Sequence, residues 1–159
     1  MPQVTKHFSL DELLVSARAV GLGIDNTRHT WETFLAARQT AGKMEIVRDV
    51  LDRNPVAVGS WIRCLELNRA LKSKDTSQHI KGEAVDFTCP RHGSPLELCR
   101  TLIKNQMLVD WDQLILEHTW VHISWSSLPN AKQKGQVLSL LASGSYATGL
   151  TNPQGIPYV

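Results

Sequence analysis

Residues 77–86 read Ser77-Gln78-His79-Ile80-Lys81-Gly82-Glu83-Ala84-Val85-Asp86, and the chain continues Phe87-Thr88. Glu83 to Thr88 alternates and is rich in strand formers, so it is expected to be a β-strand. Alternation puts Ala84, Asp86 and Thr88 on one face and Val85 and Phe87 on the other. The apolar pair points into a core. The opposite face carries a carboxylate beside the small Ala84, which leaves room for a bound group. Gly82 lets the chain turn, so that His79 folds back over the Asp86 face.

A second stretch repeats this polarity. Gln113 to Glu117 and Val121 to Trp125 read as two strands joined tightly, a hairpin. Val121, Ile123 and Trp125 face the core, while His122 shares a face with Ser124. Zinc takes nitrogen and oxygen ligands, and a catalytic zinc site uses three protein ligands with one position left for water. His79, Asp86 and His122 meet that need and are the candidate metal ligands. A single histidine is ordinarily a surface residue, and His7, His29 and His92 are read that way. The shared polarity of the two strands sets the other three groups apart.

Outward from these strands the chain reads mostly as helices. Ser9 with Glu12 makes a capping-box pattern ahead of Leu10, Leu13, Leu14 and Ala17, a helix expected to end near Gly21. Thr30 opens a longer helix to about Asp52, with Trp31, Phe34, Leu35, Met44, Val47 and Leu51 as its inner face. Gly42 marks a point where it can break. Asn54-Pro55 ends it, Val56 to Ser60 reads as a short strand, and Cys64 to Leu71 as a helix. Ser94-Pro95 starts another helix, proline suiting the first helical position. Gly135 to Leu141 reads as a short amphipathic piece. The tail from Ser143, rich in Gly, Ser, Thr, Asn and Pro, is expected to be a loosely packed extension. Helices first, then strands mixed with helices, predict an α+β fold with a small antiparallel sheet flanked by helices. The expected organisation is one domain over 1–142 and an extension over 143–159.

Bulk properties narrow the function. The 159 residues suit one domain, and 42% apolar with 20% charged residues is a soluble globular composition. A net charge of +2 lacks the basic excess of nucleic-acid binders, so no nucleic-acid partner is expected. Cys64, Cys89 and Cys99 are odd in number and widely spaced, which reads as reduced thiols. Cys89-x-x-His92 is a weak metal signal, because Cys89 points away from Asp86 and Thr88. Met1 to Leu10 has no apolar signal region, and no run approaches the ~18 apolar residues that span a membrane. The expectation is synthesis in a cytoplasm without a signal peptide, no stable membrane association, and a monomer.

Ser77 to Asp86 resembles the Ser-x-His-x-x-Gly-x-Ala-x-Asp signature of the D-Ala-D-Ala carboxypeptidase family of zinc metallopeptidases. Trp120-Val121-His122-Ile123-Ser124 resembles that family's second ligand segment. Gly59-Ser60-Trp61-Ile62-Arg63 with Asn68 is similar to its Ser-Gly-Tyr-Arg segment and the asparagine that follows. Phe8-Ser9-Leu10-Asp11-Glu12-Leu13, Gly23-Ile24-Asp25-Asn26 and Gln113-Leu114-Ile115-Leu116-Glu117 resemble the branch of phage L-alanyl-D-glutamate endolysins. The likeness covers roughly residues 7–126.

The resemblance implies a DD-peptidase/hedgehog-like fold and one Zn²⁺ per chain on His79, Asp86 and His122. Arg63 would be a catalytic and substrate-binding contact, bidentate geometry suiting arginine to a carbonyl or carboxylate. Ser77 would orient a ligand or substrate, or cap a turn. Glu117 would be the general base. Its face depends on register: paired with Val121 it faces the core, paired with His122 it faces the metal. His118 and Asp112 are weaker substitutes. An acid that some members carry three residues before the last histidine is Thr119 here, and Leu71 to Thr76 replaces a glycine-rich loop. The implied activity is hydrolysis of peptidoglycan stem peptides by a phage lysin or virion-associated wall hydrolase, acting after holin release or from the particle. The alternatives are a non-catalytic zinc-binding domain of a virion and a D-Ala-D-Ala carboxypeptidase or dipeptidase.

Overall fold

Ser9 opens the first helix with both halves of a capping box: its hydroxyl takes the Glu12 N–H, and the Glu12 carboxylate takes the Ser9 N–H. In the computed structural model, which describes residues 2–158, helix α1 spans Leu10–Leu14. The chain then breaks at Val15, which is extended, and Ser16 caps α2, Ala17–Leu22. The single helix expected from Ser9 to Gly21 is therefore two, because Ser16 takes the Ala19 N–H in place of continuing the helix.

Helix α3, Trp31–Val50, runs unbroken through Gly42. Of its expected inner face, Met44, Val47 and Leu51 are buried and Phe34 packs on the core, whereas Trp31 and Leu35 are exposed and Ala36, Ala37, Thr40 and Ala41 complete the buried face. The small residues are there because the turn at Gly82 packs directly on them. Thr40 donates to the Gly82 carbonyl at 3.0 Å, and a Cβ on Gly82 would sit 2.5 Å from the Thr33 carbonyl oxygen.

The remaining elements are β1 (Ala57–Ser60), α4 (Leu65–Ala70), β2 (Ala84–Thr88), α5 (Pro95–Lys104), α6 (Gln106–Val109), β3 (Gln113–Leu116), β4 (Val121–Ser124), β5 (Gln136–Leu140) and β6 (Tyr146–Thr148). Ser94 caps α5 with Pro95 at its first turn. The strands form one six-stranded sheet in the order β1-β2-β4-β3-β5-β6. Val85, Phe87, Leu114, Leu116, Val121 and Ile123 join residues of α1, α3 and α5 in one core. The α+β class holds, and helices cover one sheet face.

Two expectations change. The sheet is mixed, because β5 runs parallel to β3. The Gly135 and Gln136 N–H groups bond the carbonyls of Trp111 and Asp112, so the chain re-enters beside the start of β3 and in its direction. The segment from Ser143 is not loose: β6 pairs antiparallel with β5, and the Ser139 hydroxyl binds both the Gly149 carbonyl and the Thr151 N–H. Period-two alternation explains β5, with Val137 packed on the core and Leu138 and Leu140 on the other face. Among the described residues, no helix is long and apolar enough to cross a membrane.

The Gly82 contact yields a stability prediction. Gly82 has φ +74° and stands against α3 backbone. Gly82→Ala is expected to cost about 2–4 kcal/mol, combining a strained left-handed residue with overpacking. Urea unfolding at unchanged slope measures it; a loss below about 0.5 kcal/mol would show that the turn yields easily.

Candidate metal centre

Strand register places the ligand-type residues. Asp86 on β2 pairs with His122 on β4, and His122 pairs with Ile115 on β3, so all three share one sheet face. Between Val58 and Ser60 the register of β1 slips by one residue, which sets Ser60 opposite Asp86. Glycine at position 59 suits such a bulge. The row Ser60–Asp86–His122–Ile115 therefore crosses the sheet.

His79 reaches this row from the turn before β2, as the Gly82 reading expects. It is buried and held at two points. Its Nδ1–H donates to the Trp61 carbonyl at 2.6 Å, and its own carbonyl accepts the Arg63 N–H at 3.1 Å. A carbonyl only accepts, so the Nδ1 proton is fixed and Nε2 keeps its lone pair. That lone pair faces Asp86 Oδ1 at 3.2 Å and His122 Nδ1 at 3.2 Å, and His122 Nδ1 lies 2.8 Å from Asp86 Oδ1.

Two acceptors thus face one another in a buried place. A second proton on His79 would relieve them, but burial pushes its pKa below the ordinary value, against the pull of Asp86. For Asp86, burial opposes ionisation, and the imidazoles of His79 and His122 overcome it and hold the carboxyl well below the usual range. A cation fits this arrangement. Metal–ligand bonds of ~2.0–2.1 Å in a tetrahedron place donor atoms about 3.3 Å apart, close to the spacing here. Among the described residues, His79, Asp86 and His122 are the one group able to hold a metal ion.

Arg63 and Glu117 flank the triad. The Arg63 guanidinium bonds the second Asp86 oxygen and donates through Nε to the Ser60 hydroxyl at 2.8 Å. Glu117 follows a register that neither sequence alternative anticipated. Leu116 pairs with Val121, and the Glu117 N–H bonds the Trp120 carbonyl, so Glu117 stands opposite Trp120. Alternation from Ile115 puts it on the His122 face. Its carboxylate makes no hydrogen bond or ion pair among the described residues. Burial and the Asp86 charge push its pKa up, while His122 and Arg63 pull it down. It is a half-buried, unpaired carboxylate in the electrostatic reach of the triad.

The other candidates lie elsewhere. The Ser77 hydroxyl accepts the His79 N–H at 3.4 Å, an arrangement that caps the turn. Asp112 is buried and engaged by Lys134 and Gln78. His118 is exposed in the β3–β4 turn. Cys89 is a buried thiol donating to the Pro55 carbonyl, and His92 is engaged by Thr101 and Asp52. Sequence reasoning missed two contributors: the Trp61 carbonyl and the Ser60 hydroxyl. Gly59 inside a strand was the available signal for the bulge that aims Ser60.

Three buried ligand-type side chains on a sheet face, with an arginine and an unpaired carboxylate beside them, define a metal-dependent hydrolase type of site. The family model for Peptidase M15 matches residues 6–124, and the chain belongs to that family of zinc-dependent metallopeptidases. No curated protein matches the chain.

Purified protein is expected to carry one zinc per chain by elemental analysis. His79→Ala, Asp86→Ala and His122→Ala should each weaken zinc binding by more than about 100-fold, exceeding the 10–100-fold typical of outer-shell changes. Full zinc retention in any of them would remove that residue from the ligand set.

Proposed function

We propose that this chain hydrolyses peptide bonds in peptidoglycan stem peptides, with His79, Asp86 and His122 as the zinc ligands. The observation that carries the reading is the unpaired Glu117 carboxylate on the His122 face, one diagonal step from a ligand set that leaves lone pairs converging. Bound zinc polarises a scissile carbonyl and lowers the pKa of water to ~7. Glu117 takes a proton from the attacking water and returns it to the leaving amine. Its carboxylate is free to do so, having no hydrogen bond or ion pair among the described residues.

Arg63 stabilises the developing charge or reads a substrate carboxylate. It stands between the triad and a cleft of about 570 Å³ whose wall includes Arg28, His29, Thr30, Thr33, Arg63 and Ile80. Arg28 and Arg63 are the cations of that wall, paired with Asp25 and Asp86, and they would meet an acidic stem peptide there. The ion pair of Arg28 with Asp25 spans 3.1 Å. The phage-lysin assignment, with action after holin release or from a virion, is supported by the likeness of Phe8–Leu13, Gly23–Asn26 and Gln113–Glu117 to the endolysin branch.

Incubation with purified peptidoglycan should give peptide fragments by mass spectrometry, cease with chelator and return with zinc. Glu117→Gln should keep its zinc and lose at least about 100-fold in kcat. Cleavage that ignores chelator, or no cleavage with zinc restored, overturns the reading. Unchanged turnover in Glu117→Gln moves the base to another group.

A further inference from the structure

The family match ends at residue 124, but the sheet face that carries the triad does not. Register extends the row. Ile115 on β3 pairs with Leu138 on β5, and Leu138 pairs with Thr148 on β6. The β3–β5 pairing ends at Leu116 opposite Ser139; continuing that register by one residue sets Glu117 beside Leu140, and Leu140 pairs with Tyr146. Glu117, Leu140 and Tyr146 therefore form a second row on the face of His122, adjacent to the first.

This extended face is built as a surface. Ile115, Leu138 and Leu140 stand outside the core cluster, and Leu138 and Leu140 keep part of their area open. Tyr146 is 52% exposed, and its hydroxyl has no hydrogen-bond partner among the described residues. Burial pushes the phenol above its ordinary pKa, and the carboxylates of Glu117 and Asp86 push it the same way, so it is a neutral donor within their field. Neighbouring strands lie ~4.8 Å apart, which sets Tyr146 and Glu117 about 10 Å from one another with Leu140 as the floor. That width accepts one extended chain. The phenol does not bond Glu117 directly, and neither group has a hydrogen-bond partner among the described residues.

We infer that the β5–β6 hairpin is one wall of the substrate groove, with Tyr146 donating its phenol hydrogen to a backbone carbonyl of the bound peptide. Leu138 and Leu140 give that wall an apolar floor beside the carbonyl. Arg63 and its cleft lie on the opposite side of the triad, across β4 and β2. The groove thus has Arg63 at one end and an apolar end, walled by the hairpin, at the other. This inference rests on the peptidase reading above.

The test uses the full zinc-loaded chain and a soluble stem-peptide fragment containing alanine and an acidic residue. Tyr146→Ala should raise KM about 10-fold with kcat within threefold, the pattern of a lost binding contact. Tyr146→Phe, which keeps the ring, should raise KM about three- to fivefold with zinc content and unfolding midpoint unchanged. A Tyr146→Phe protein with kcat/KM within twofold of wild type overturns the hydrogen bond, and a Tyr146→Ala protein that is likewise unchanged overturns the wall. Wild-type protein that cleaves nothing with zinc restored fails earlier, at the peptidase reading, before any Tyr146 variant is compared.

Discussion

Two hydrogen bonds tie the chain after β1 to the turn before β2: the His79 ring donates to Trp61, and the Arg63 N–H donates to His79. The rest of the site depends on this clasp. It fixes the His79 tautomer, so that Nε2 offers a lone pair where Asp86 already offers another. It also fixes the backbone of Arg63, whose guanidinium meets the far oxygen of the same carboxylate. Trp61 is itself fully buried, edge-on to Phe8 with ring centroids 5.5 Å apart. The imidazole is therefore aimed by a carbonyl that packing holds still, which is how an outer shell orients a metal ligand.

The sheet supplies the remaining precision. Alternation divides each central strand into a core face and a ligand face, and one-to-one pairing then lines the ligand faces up. Asp86 and His122 need no special loop to meet, because register places them opposite. Two glycines supply what register does not. Gly59 lies at the bulge that turns Ser60 toward Asp86, and Gly82, at positive φ, lets the His79 turn press onto α3. That pressure explains why α3 presents alanines and Thr40 to the turn.

Legibility followed the range of the forces involved. The faces of β2 and β4, the Ser9 and Ser94 caps and the α+β class were readable because each depends on neighbours a few residues apart. The register of Glu117 was not, since the lengths weighed for the β3–β4 turn were three and four residues, while Glu117 pairs with Trp120 around His118 and Thr119. The C-terminal half of the inner face of α3 (Met44, Val47, Leu51) was legible, but Trp31 and Leu35 are exposed, because the Gly82 turn packs on small residues instead. The break at Ser16 was a contest between a helix interior and a cap, settled by one side-chain bond. The strands β5 and β6 were hidden because parallel pairing to β3 is non-local, and the turn residues around Tyr146 have the composition of a tail.

Metal binding and substrate binding ask different things of the fold, and the sheet order separates them. Ligand atoms must converge within tenths of an ångström, so they sit on the interior strands β2 and β4 and on a clasped turn, all buried. The proposed general base, Glu117, must stay chargeable and unpaired, which full burial would prevent; it stands one diagonal step away, at the end of β3, half-buried. A surface that receives a flexible peptide tolerates looser placement, and the inferred one falls to the edge strands, where Leu138 and Leu140 keep part of their area open and Tyr146 is exposed. Burial therefore falls outward along the ligand face, from Asp86 to Glu117 to Tyr146, in the order that chemistry relaxes its demand for fixed geometry.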